Sequence, residues 1–218
     1  MTIRVVVAGA IVVGMLSSAR IASADEPGDD ARRRSRIFVG HDLGFMTARA
    51  LWIDGKSGPT DGGGLYYGLH AGYAHALSRW FGVTGLTRFG AWGSSSTSAN
   101  GDERSFLDLA LGPEIHGGDK TGGLHVSAPL GVTIAQSRAG AGRAVQESYS
   151  PGRGLNLGLT AAYEVSGLHS GAYFGLSWIT HFTWIDHGAR DRSGAVVRES
   201  FTYVDHLMLF NIGYLYRP

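Results

Sequence analysis

Between residues 122 and 136 the chain alternates strictly. Leu124, Val126, Ala128, Leu130, Val132 and Ile134 share one face, and His125, Ser127, Pro129, Gly131 and Thr133 share the other. The segment 154–166 repeats the pattern, with Leu155, Leu157, Leu159, Ala161, Tyr163 and Val165 set against Asn156, Gly158, Thr160, Ala162 and Glu164. In 65–77, Leu65, Tyr67, Leu69, Ala71 and Tyr73 oppose Tyr66, Gly68, His70, Gly72 and Ala74. A period of two puts alternate side chains on opposite faces of a strand, which no helix does. The chain is therefore read as all-β.

Weaker alternations predict further strands near 36–53, 80–92, 105–116, 171–185 and 200–216. Their apolar faces carry Ile37, Val39, Leu43 and Phe45, then Phe81, Val83 and Phe89. Leu107, Leu109, Leu111 and Ile115 follow, and later Phe174, Leu176, Trp178, Phe182 and Trp184. His41 interrupts the first of these faces and leaves that strand's facing open. The links near 77–80, 117–121 and 166–170 have room only for tight turns. Those at 54–63, 93–104, 137–153 and 186–199 are long, polar and rich in Gly, Ser, Asp and Arg. Short turns at one end and long loops at the other predict an eight-stranded antiparallel up-and-down barrel, with both termini at the short-turn end.

The composition of the two faces decides which one meets solvent. The less apolar faces carry mostly Gly, Ala, Ser, Thr, His and Asn, and very little Lys or Glu. A water-facing exterior would carry more charge, whereas small polar groups suit a narrow lumen. The apolar faces are read as lipid-facing, which makes the barrel transmembrane. The 34 glycines fit tight turns and close packing inside a small barrel.

The N-terminus supports export. Arg4 precedes an apolar stretch from Val5 to Leu16, and Ala22-Ser23-Ala24 supplies a small-residue cleavage pattern. Residues 1–24 are expected to be a signal peptide, 25–35 a periplasmic N-terminal tail and 36–216 the barrel. No later segment is a continuous apolar run of helix-spanning length. A net charge of +1 gives no sign of a nucleic-acid partner. With no cysteine the chain holds no disulfide and no thiolate metal site.

The last strand places Met208, Phe210, Ile212, Tyr214 and Tyr216 on one face, with Asn211, Gly213 and Leu215 on the other. It resembles the C-terminal assembly signal of bacterial outer-membrane proteins, in which an aromatic closes an alternating strand. Phe210, Ile212, Gly213, Tyr214 and Tyr216 carry the likeness, and Arg217-Pro218 depart from it. Together with the strand spacing, the chain resembles the eight-stranded OmpA-like and OmpX-like barrels over 36–216. The resemblance implies an outer-membrane location, with outer-membrane lipids and the barrel-assembly machinery as partners. Trp52, Trp92 and Trp184 near the long loops, and Trp80 near a short turn, are expected at the two membrane interfaces.

Strand phase sends Asp42, His70, Arg88, Asp108, Glu114, His125, Asn156, Glu164, His181, Asp205 and Asn211 into the lumen. Buried charges need partners, so Arg88 is expected to pair with one or more of Asp42, Asp108, Glu114 and Asp205. Among the nine histidines, no pair has the spacing of a zinc helix or knuckle. His70 and His75 fall on opposite faces. No metal and no cofactor is expected. The lipid A deacylases carry a His-x-Ser-Asn element. The nearest match is His181-Phe182-Thr183-Trp184 with Glu199 downstream, which differs at two residues and points inward. The chain is accordingly not expected to be an enzyme. The run Arg32-Arg33-Arg34-Ser35-Arg36 reads as a solvated tail, with lipid headgroups or cell-wall polymers as the alternative. The expected role is structural or surface-interacting, through long extracellular loops around a plugged polar lumen and with an unidentified loop partner. A porin-like transport barrel for small solutes or apolar molecules and a lipid A-modifying enzyme are the alternatives.

Overall fold

The computed structural model describes residues 35–53, 56–57, 64–93, 103–118, 122–138, 147–149, 151–166, 170–190 and 196–218. The strands in chain order are β1 (Ser35–Ile53), β2 (Lys56–Ser57), β3 (Leu65–Ala76), β4 (Phe81–Gly93), β5 (Glu103–Gly118), β6 (Gly122–Ser127), β7 (Leu130–Arg138), β8 (Glu147–Tyr149), β9 (Gly152–Ser166), β10 (Ser170–Arg190) and β11 (Val196–Tyr216). β6 and β7 are one stave interrupted at Ala128-Pro129. Both halves pair with β5 on one side and β9 on the other, in a single register. β11 closes onto β1, so the staves form a ring of eight antiparallel strands. β2 and β8 are short additions at the long-loop end.

Following paired residues around the ring from Gly40 passes His70, Arg88, Asp108, Thr133, Gly154, Thr183 and Tyr203, and returns at Leu51. That stagger is the shear that tilts the strands of a closed barrel. It includes one bulge, where Thr47 is inserted between Met46 and Ala48 and its Oγ1 donates to the His206 carbonyl at 3.2 Å. The break at Ala128-Pro129 also has a cause. Pro129 has no N–H to give to the ladder, yet its carbonyl still accepts from Gly158 N at 2.8 Å.

The facing of the strands follows the alternation. Leu43, Leu69, Leu111, Leu157, Leu176 and Phe210 are all about half exposed or more on the outside of the ring. The exposed apolar residues continue onto every stave. Such a surface far exceeds the apolar patch a water-soluble monomer carries, and it suits lipid. His41 lies on this outer face, exposed, with Nδ1 3.0 Å from Tyr67 Oη. The first strand therefore keeps one phase from Val39 up to the bulge at Thr47, and the polar ring on its outer face has a partner.

Two expectations about the connections are corrected. The hairpin between β10 and β11 stays paired as far as Arg190 and Val196, well into the stretch 186–199 read as a loop. β8 likewise falls within the stretch 137–153 read as a loop, and pairs with His187–Ala189. Polar and charged residues do not by themselves prevent strand pairing. The short turn at 77–80 is tied by Ser78, whose Oγ accepts from Trp80 N and Phe81 N at 3.3 and 3.1 Å. Residues 1–34, with the expected signal peptide and most of the N-terminal tail, lie outside the described residues. Ser35 already belongs to β1.

Candidate functional site: the bridged lumen

All of Asp42, His70, Arg88, Asp108, Glu114, Asn156, Glu164, His181, Asp205 and Asn211 are buried within the ring, and His125 is partly buried. They form separate clusters stacked along the barrel. In the central cluster Arg88 Nε lies 2.7 Å from Asp42 Oδ2. Asp42 Oδ1 takes His70 Nδ1 at 2.8 Å and a hydrogen bond from Asn211 Nδ2 at 2.5 Å. Ser177 Oγ then donates to Asn211 Oδ1 at 2.6 Å and meets Thr160 Oγ1 at 2.7 Å, while His70 Nε2 bonds Tyr173 Oη. One polar chain thus joins β4, β1, β3, β11, β10 and β9.

A second cluster crosses from β5 to β10. His181 Nε2 lies 2.9 Å from Asp108 Oδ2, and Thr133 Oγ1 donates to Asp108 Oδ1 at 2.7 Å. Asn156 Nδ2 donates to both Thr133 Oγ1 and the Val132 carbonyl at 2.9 Å. His181 is fully buried and faces inward, which removes it from the lipid interface. The sequence expects Arg88 to pair among four acids. Asp42 is its direct partner, and Asp108, Glu114 and Asp205 each bind another base.

Two of those bases are absent from the lumen assignment made on sequence. Arg104, fully buried, places Nη1 3.0 Å from Asp205 Oδ2, and its guanidinium lies 3.3 Å from the centre of the Tyr203 ring. Arg36 reaches inward to Glu114, Nη2 to Oε2 at 2.5 Å. That corrects the reading of Arg36 as part of a solvated or headgroup-binding run, because its phase on β1 points it into the ring. Arg217, after the last strand, turns back to Glu164. His125 Nε2 lies 2.9 Å from Glu164 Oε2 on its other side.

The loop half of the lumen is mostly apolar around the Arg104–Asp205 pair, which the sequence does not suggest. Met46, Tyr66, Trp92, Phe106, Ala135, Ile179, Ile185, Phe201, Tyr203, Leu207 and Leu209 form one buried cluster there. Trp92 therefore overturns its assignment to the membrane interface. It shares the inward face of β4 with Arg88 and Gly90 and is 2% exposed. Its phase on β4, and not its nearness to a loop, sets its facing. Trp80 and Trp184 are exposed on the outside and Trp52 is partly exposed. Tyr163, Tyr214 and Tyr216 add exposed phenols to the short-turn rim. Phe210 and Ile212 share that outer face, while Gly213 faces inward beneath Tyr173.

Glycines make room for the interior aromatics. A Cβ on Gly68 would stand 2.8 Å from Tyr66 Oη, and one on Gly90 would meet the same ring more closely still. Below the apolar cluster a cavity of about 70 Å³ remains in the short-turn half, lined by Arg36, His70, Glu114, His125, Glu164 and Tyr173 among others.

No protein-family model and no curated protein matches the chain. Among solved structures, the outer membrane protein OprG of Pseudomonas aeruginosa superposes with a TM-score of 0.56 at 12% identity. The match covers 84% of this chain and 94% of that one. This chain has the fold of a bacterial outer-membrane β-barrel. Neisserial surface protein A (8% identity, 84% and 97% coverage, TM-score 0.45) and AlkL in lipid bilayers (11%, 89% and 95%, TM-score 0.46) are also similar. The OprG superposition carries the fold. The apolar belt of this outer-membrane-type barrel is what sets it across a lipid bilayer.

Proposed function

We infer that this chain is a non-conducting, non-enzymatic outer-membrane barrel that acts through its long-loop rim. The observation that carries this reading is the double closure of the lumen. Arg88–Asp42, His181–Asp108 and Arg104–Asp205 bridge it with charge, and the apolar cluster from Met46 to Leu209 fills its loop half. An ion crossing this interior would have to break buried pairs and pass a tightly packed, mostly apolar layer, each a costly step. The rigid ring then serves as a platform. Function on such a platform resides in the connections it presents, with lipid around it and an extracellular partner at the loops.

Planar-bilayer recording tests this reading. The refolded wild type is expected to be silent. Arg88→Ala is expected to be silent too, because the apolar cluster still seals the loop half. Stable open events from the wild type would move the protein into the transport class.

A further inference from the structure

At the short-turn mouth, Glu114 and His116 of β5 and His125 of β6 bring one donor atom each to within 4.8 Å of one another. The hairpin register sets this up. His116 and His125 are direct cross-strand partners, and Glu114 lies two residues along the same inward face. Glu114 Oε1 is 3.6 Å from His116 Nδ1 and 3.4 Å from His125 Nδ1.

The tautomers make this convergence informative. His116 Nε2 bonds the Ser78 carbonyl at 3.2 Å. A carbonyl only accepts, so that nitrogen carries the ring proton. His125 Nε2 lies 2.9 Å from Glu164 Oε2, closer than its Nδ1 lies to Glu114, and an acceptor-only carboxylate favours the ring proton at the shorter contact. A neutral imidazole has one N–H, so both Nδ1 atoms present lone pairs. Both are buried and neither makes a hydrogen bond. Two lone pairs therefore aim at a carboxylate oxygen, an arrangement that needs positive charge between them.

Extra ring protons fit poorly, because a charge-assisted N–H···O bond spans about 2.7–2.9 Å and these gaps are longer. A tetrahedral ion with ligands at about 2.0–2.2 Å sets its donors roughly 3.4 Å apart, which matches. We propose that Glu114, His116 and His125 form a binding site for a divalent transition ion of the zinc type. Arg36 on Glu114 Oε2 leaves Oε1 as the single coordinating oxygen. The Ser78 carbonyl holds the His116 ring from outside, and the Glu164 carboxylate stands 2.9 Å behind His125, where outer-shell acceptors stand in metal sites. Two imidazoles and one carboxylate leave a fourth position facing the lumen mouth.

The test uses untagged, refolded chain stripped of metal and titrated with Zn²⁺ alone by calorimetry. One ion per chain is expected. His116→Ala and His125→Ala should each weaken binding at least tenfold, Glu164→Gln about ten- to a hundredfold, and His206→Ala should leave it unchanged. X-ray absorption at the zinc edge needs no variant, and so decides the matter even where a substitution prevents folding. Two imidazoles and oxygen at about 2.0–2.2 Å are expected. Failure of the folded wild type to bind, an all-oxygen shell, or binding unchanged in both histidine variants would overturn the site.

Discussion

Arg88 on β4 and Asp42 on β1 meet inside the ring with Nε 2.7 Å from Oδ2, although β3 lies between their strands. Asp42 also receives His70 and Asn211, so one carboxylate ties four staves. Removing one member of a buried pair strands the other, at a cost of about 3–5 kcal/mol. Arg88→Ala and Asp42→Ala are each expected to lose that much in urea titrations of the barrel in lipid. The double variant should lose much less than their sum. Additive losses would mean that the two residues act independently.

Much of this was legible in the sequence. Period two fixes facing, so Asp42, Arg88, Asp108 and His181 could be assigned to the lumen without any contact information. What escaped has physical causes. Arg36 sits in a run of arginines and Arg104 at the end of a polar stretch, so the local composition masks the phase of both. Ile179, Ile185, Leu207 and Leu209 lie on strands apolar on both faces, where alternation fades and the filled half of the lumen goes unseen. Glu114, His116 and His125 meet only through hairpin register, which spacing along one strand does not reveal.

Tyr66 is buried over Gly68 and Gly90 with no hydrogen-bond partner for its hydroxyl among the described residues. Tyr66→Phe removes an unsatisfied group and is expected to stabilise the barrel by about 1 kcal/mol. Gly90→Ala crowds the same ring and should destabilise by about 1–3 kcal/mol. Equilibrium unfolding of both variants checks the pair. A loss of stability in Tyr66→Phe would show that the hydroxyl is satisfied.

Leu176 and Phe210 are cross-strand partners on the outer face, about half exposed. Arginine facing lipid at mid-bilayer costs about 2–4 kcal/mol and near the interface about 0–1. Leu176→Arg should therefore be far more costly than Trp80→Arg at the short-turn rim. Equal costs, measured by unfolding in vesicles, would place the bilayer elsewhere.

The chain has no cysteine, so a single engineered thiol reports access without interference. Ser127 lines the lumen cavity below the apolar cluster, and Ser57 is exposed at the long-loop end. In oriented vesicles, a membrane-impermeant thiol reagent added on the loop side should label Ser57→Cys rapidly. A lumen closed in its loop half predicts that Ser127→Cys stays unlabelled from that side. Labelling of Ser127→Cys at the rate of Ser57→Cys would mean a continuous bore, and would contradict the plugged barrel.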